Sequence, residues 1–170
     1  VIEPIFEAEF SEHSYGFRPE KNAGQAISQI KNHLKQGFIE VYDADLSAYF
    51  DTIPHDKMLK ALEERISDHR VLRLIKMWLQ SPVSEKGRIT GGKSTTCGTP
   101  QGGVISPLLA NIYLNLFDRN VEKEGSLFAK EGVKIVRFAD DFVLMAKTIS
   151  ETVKGKVSSL MERLDLTINL

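Results

Sequence analysis

Two adjacent acids, Asp140 and Asp141, sit between the apolar runs Ile135, Val136, Phe138 and Phe142, Val143, Leu144, Met145. An Asp-Asp pair alone says little, since roughly a third of random chains of this size contain one at average composition. Its setting changes that. The flanking runs predict strand, tight turn, strand, from Val133 to Phe138 and from Phe142 to Ala146. Acids at the tip of such a hairpin repel each other and lose hydration, which is costly unless a cation compensates. A third acid, Asp45, ends the stretch Phe38 to Leu46, where Ile39, Val41 and Tyr42 suit a partly buried strand. Three carboxylates from two strands can hold two hard cations such as Mg²⁺, with Mn²⁺ able to substitute. A metal pair of this kind serves in-line phosphoryl transfer, activating an attacking hydroxyl and steadying the leaving group. Asp43 shares a strand face with Asp45, and Asp51 follows closely. Capping and solvation near a strand end and a helix start account for these two better than ligation.

The elements that must position these acids follow from periodicity. Ala23, Ala26, Ile27, Ile30 and Leu34 recur at helical spacing, with Gly37 placed to end the segment. Pro54 suits a first helical turn, and Met58, Leu59, Leu62 and Ile66 mark the stripe behind it. Asp68 can cap a helix with the apolar face Val71, Leu72, Ile75, Trp78 and Leu79, which places Trp78 in the core; Pro82 stops it. From Val83 to Gln101 the chain is rich in Gly, Ser and Thr and reads as a hairpin or loop. Ser106 and Pro107 form a cap and first-turn pair opening a helix to about Val121, with Leu109, Ile112 and Leu116 inward. Asn111 and Asn115, one turn apart on that helix, face solvent by default or else line a cleft. A last helix carries Val153, Val157, Leu160, Met161 and Leu164, and Leu166 to Leu170 closes the chain as a strand. The whole predicts an α+β fold, an antiparallel sheet backed by helices, in one domain over 1–170.

Composition narrows the function. At 42% hydrophobic and 26% charged residues, the chain can bury a real core. No apolar run approaches bilayer length and no leader is seen, so a cytoplasmic protein with no membrane partner is expected. Cys97, the single cysteine, excludes an intrachain disulfide, and His13, His33, His55 and His69 show no ligand spacing. The net charge of −1 argues against a self-sufficient nucleic-acid binder. Basic groups are either concentrated on one face or supplied by other parts of a longer protein.

Four blocks in order resemble the reverse transcriptases, most closely the group II intron-encoded type that includes maturases. They are Phe10-Ser11-Glu12-His13-Ser14-Tyr15-Gly16-Phe17-Arg18-Pro19, the stretch Asp43 to His55, the long run Gly98 to Leu114 beginning Gly98-Thr99-Pro100-Gln101-Gly102-Gly103, and Phe138-Ala139-Asp140-Asp141. The last departs from the more frequent Tyr-Ala-Asp-Asp by one hydroxyl. The resemblance implies a polymerase palm with partial fingers, the first fingers block and the thumb lying outside the chain. It implies RNA-directed DNA polymerisation with two Mg²⁺ ions, an RNA template, a DNA primer, dNTPs and intron RNA as partners.

By the same resemblance, Asp45, Asp140 and Asp141 are the catalytic metal ligands, and Leu46, Phe50, Gln101, Gly102 and Arg18 contact substrate. Phe50 takes the place of a steric gate that crowds a ribose 2′-hydroxyl; a core phenylalanine is its plainer reading. Gln101, Gly102 and Gly103 allow close backbone approach to a ligand, or simply turn the chain into a helix. Arg18 either touches a phosphate or forms a structural ion pair. Tyr15 and Phe17 can stack on bases. The alternatives to a reverse transcriptase are an RNA-directed RNA polymerase palm and a non-catalytic RNA-binding maturase module.

Overall fold

The computed structural model describes residues 2–85, 88–100 and 102–169. The chain runs α1 (Glu3–Glu7), α2 (Ala23–Lys35), β1 (Glu40–Leu46), α3 (Tyr49–Thr52), α4 (His55–Glu63), α5 (His69–Leu79), β2 (Val83–Glu85) and β3 (Arg88–Thr90). It continues through α6 (Ser106–Glu122), α7 (Leu127–Lys130), β4 (Lys134–Phe138), β5 (Asp141–Ala146), α8 (Glu151–Arg163) and β6 (Ile168–Asn169). The main sheet has four strands in the order β4-β5-β1-β6, every pairing antiparallel, and β2 and β3 form a separate hairpin. The α+β expectation holds. No helix among the described residues is long and apolar enough to cross a membrane.

Strand alternation divides the sheet. Ala44, Leu46, Ile135, Arg137, Phe142, Leu144 and Ala146 point to one face and are buried there. Their apolar members join the main core with Leu109, Tyr113, Leu114 and Phe117 of α6 and Val153, Val157 and Leu160 of α8. Each such large side chain contributes about 1.5–3 kcal/mol by leaving water. The opposite face carries Val41, Asp43, Asp45, Asp141, Val143 and Met145, and α2 packs on its β4 side, where Ala26 meets Tyr15 and Val136 with Val143 alongside.

Several helical expectations change in detail. An Asn22 capping box with Gln25 starts α2, and Gly37 follows it at φ +88, but Ile27 and Leu34 on its stripe are exposed. Asp68 caps α5 as expected, by accepting from the Arg70 N–H. Trp78, expected in the core, is 47% exposed, because α5 buries Leu72, Ile75 and Leu79 and Trp78 falls at the margin of that stripe. Ser106 does not cap α6; Ile105 holds the N-cap position, and the Ser106 hydroxyl donates to the Pro100 carbonyl. The default of solvent-facing asparagines fails most clearly. Asn111 and Asn115 are 2% and 7% exposed, since α6 is buried on nearly all sides.

Candidate active site

Register brings the three predicted acids together. The β1–β5 ladder pairs Asp43 with Val143 and ends at Ala44 opposite Phe142. The next residue on each strand is Asp45 and Asp141, so the two carboxylates stand side by side on the open face. Phe138 pairs with Asp141 across the β4–β5 hairpin, leaving Ala139 and Asp140 as its two-residue tip. Ala139 adopts φ +58, a left-handed conformation that makes this tight turn possible. On the other side of β1, Asn169 of β6 pairs with Asp45. Asp45 and Asp141 are exposed and Asp140 is half-buried.

The acids feel one another. Burial pushes the Asp141 carboxyl above its ordinary range, and the charges of Asp140, Asp45 and Asp43 push it further, with a hydrogen bond to Asp45 adding to the effect. Asp43 therefore contributes to the field of the site from the same face. A carboxyl whose pKa rises on folding holds its proton more tightly in the native state, so stability falls as pH climbs from the ordinary aspartate range to the raised value. Thermal melts of the wild type and Asp141→Asn should show this sign. The variant should melt higher above pH about 4, the unperturbed aspartate range, and the gap should close below it; equal melting at all pH values would mean the acids do not repel.

The donor set suits a hard cation: oxygen-only, anionic, open to solvent and under mutual repulsion that a divalent ion would relieve. Among the described residues, no three acid, histidine or cysteine side chains already converge into a metal cage.

Beneath the turn lies a polar network that periodicity did not reveal. Arg137, 1% exposed on the core face of β4, donates from Nε and Nη2 to Asp118 of α6 at 2.6–3.0 Å. Its Nη1 donates to the Asn111 side-chain oxygen at 3.0 Å and to the Ala139 carbonyl at 2.7 Å. Asn111 in turn donates to the Gly16 carbonyl at 2.8 Å. The backbone of residues 13–15 runs alongside, the Tyr15 N–H donating to the Arg137 carbonyl and the Arg137 N–H to that of His13. Gly16 packs so closely on Ala139 that a Cβ would fall within 2.8 Å of the Ala139 Cα. The resembling block around Gly16 is thus a buttress for the turn carrying Asp140. Arg137 directly precedes the Phe138 to Asp141 block, so its position was visible in the sequence, whereas its partner 19 residues earlier was not.

The remaining predicted residues divide. Phe50 is half-buried, 5.7 Å from the Tyr49 ring and 6.2 Å from the Phe17 ring, and lines one crevice with Phe17, Ala139 and Asp140. The strap leading to α6 is tied to it: the Thr99 N–H donates to the Phe50 carbonyl at 2.6 Å and the Gly98 N–H to that of Ile53 at 2.8 Å. Gly102 is exposed at φ +78, with open space where a Cβ would stand. Gln101 lies outside the described residues. Leu46, expected at the substrate, has its side chain on the core face, 3% exposed, so its backbone is the part that can reach the open side. Arg18 is corrected. Its guanidinium pairs with Glu7 at 2.7 Å, donates to the Ser11 and Ser14 carbonyls and stacks over Phe10, with the side chain 6% exposed. That is the structural ion pair, and it anchors the same buttress.

The sequence matches the reverse transcriptase (RNA-dependent DNA polymerase) family over residues 1–169. It is 36% identical to protein YkfC of Escherichia coli (strain K12), across 86% of this chain and 46% of that protein. It is 34% identical to the group II intron-encoded protein LtrA of Lactococcus lactis subsp. cremoris, across 77% of this chain and 21% of that protein. The chain thus spans less than half the length of these relatives. Telomerase from Candida albicans, solved in complex with a fragment of telomeric RNA, superposes with a TM-score of 0.68 at 13% identity, over 99% of this chain and 34% of that one, a likeness of fold. With blocks, sheet and family in agreement, the chain belongs to the reverse transcriptase family, in its group II intron-encoded, maturase-type branch.

Proposed function

We propose that this chain is the catalytic palm, with part of the fingers, of an RNA-directed DNA polymerase that adds dNTPs to a primer 3′-hydroxyl on an RNA template. The observation that carries the reading is the meeting of Asp45 and Asp141 across the β1–β5 ladder, with Asp140 at the adjoining turn. Asp45, Asp140 and Asp141 would hold two Mg²⁺ ions. Bound there, the ions supply charge stabilisation for in-line nucleotidyl transfer. The chain's own residues orient and shield. The Arg137 network fixes the turn, Phe50 walls the sugar, and the Gly102 loop offers backbone to a ligand. The near-neutral net charge supports a reading in which duplex-gripping groups lie in other parts of the longer protein. Intron RNA is the natural template for a protein of this branch.

Isothermal titration of the full-length protein with Mn²⁺ tests the site directly. Weak binding should appear and should fall on Asp45→Asn; equal binding by both proteins would remove the shared carboxylate site. In parallel, extension of oligo(dT) on poly(rA) should require Mg²⁺ and stop on chelation.

A further inference from the structure

We propose that Phe17 forms, with Phe50, a two-ring wall against the sugar of the incoming nucleotide, and so helps set the preference for deoxynucleotides. This rests on the polymerase reading above and names a specificity residue within it. Three independent observations meet at Phe17. Phe17 is 56% exposed, although it belongs to a segment whose neighbours Ser14, Tyr15 and Gly16 are buried. Its backbone is held at φ +55, a left-handed conformation that bulky side chains rarely adopt. Such strain persists only where the surroundings impose it. Here they do, because Gly16 is wedged against Ala139 and tethered through its carbonyl to Asn111. The result is an aromatic ring fixed in the open, its centroid 6.2 Å from that of Phe50 at an interplanar angle of 79°, an edge-to-face contact.

Both rings border the same small gap as Tyr49, Asn111, Ala139 and Asp140, which sets them beside the turn that carries the acid. A gate ring standing alone can swing away from an extra hydroxyl; one braced edge-on by a second ring cannot do so without losing that contact. Phe17 therefore acts both as wall and as brace.

The test is the ratio of kcat/KM for dTTP to that for UTP during oligo(dT) extension on poly(rA) by the full-length protein. An apolar wall rejects an added hydroxyl by about 10²-fold. Phe17→Ala should lower the discrimination ratio by about tenfold, chiefly by easing UTP binding, and Phe17→Tyr should restore most of it. Phe17→Gly separates strain from ring, since glycine accepts the backbone conformation but offers no wall; it should lose discrimination as Phe17→Ala does. An unchanged ratio in Phe17→Ala and Phe17→Gly overturns the proposal, whatever happens to absolute rates. A wild-type protein that extends no primer under Mg²⁺ overturns the polymerase reading and this inference with it.

Discussion

Asp140→Asn is expected to lower oligo(dT) extension on poly(rA) by on the order of 10³-fold, while leaving the melting temperature of the full-length protein unchanged or raised. Asn matches Asp in shape, and the turn is held by backbone pairing of Phe138 with Asp141 and by the Arg137 contact to the Ala139 carbonyl, neither of which needs the Asp140 charge. What is lost is a negative oxygen ligand. Metal-borne charge stabilisation is worth several kcal/mol, and each 1.36 kcal/mol is tenfold in rate. Removing the charge also relieves Asp141, whose carboxyl Asp140 pushes upward. Stability and activity should therefore separate. Asp43→Asn should cost far less activity, because Asp43 stands opposite Val143, one same-face position further from the turn. Wild-type extension by Asp140→Asn would remove this acid from the chemistry.

Much of this site was legible in the sequence because it rests on two local signals. Strand alternation predicted β1, β4 and β5 to within a residue or two, and antiparallel pairing then places Asp45 near Asp141 with little further choice. Periodicity located α2, whose Asn22 capping box only the structure shows, and the Asp68 cap located α5. The signal fails where tertiary packing overrides amphipathic pattern. A helix buried on one side writes its stripe into the sequence; α6 is buried on nearly all sides, so Leu109 and Ile112 looked like the face when Asn111, Asn115 and Asp118 were buried as well. Polar residues so placed are tolerated only when their partners are in reach, and those partners, Gly16, Glu9 and Arg137, come from distant parts of the chain. Arg18 failed for the same reason. A lone arginine in a Gly-containing block looks like a phosphate contact until Glu7 and the carbonyls of Ser11 and Ser14 are seen to surround it. Trp78 erred in the opposite sense, because a stripe's margin and its centre share the same spacing.

The buried pair under the turn gives the second large effect, and its logic separates folding from positioning. Asp118 and Arg137 are each 1% exposed, so removing either partner strands a charge away from water. Asp118→Leu or Arg137→Met alone should each cost about 3–5 kcal/mol of stability, the usual penalty for breaking a buried pair. The double variant Asp118→Leu with Arg137→Met leaves no orphaned charge and should recover most of that loss in chemical denaturation. Its activity should not recover to match. The Ala139 carbonyl and the Asn111 side chain both lose their Arg137 donor in the double variant. A turn freed by even about 1 Å misplaces the carboxylate at its tip, a displacement that costs about 10²-fold in rate. Arg137→Lys keeps a charge but not the planar fork that bridges Asp118, Asn111 and Ala139 at once, so it too should fold better than it extends primers. A double variant that folds and also extends at the wild-type rate would reduce the network to packing, and the geometry of Asp140 would then rest on the Phe138–Asp141 pairing and the Gly16 contact with Ala139.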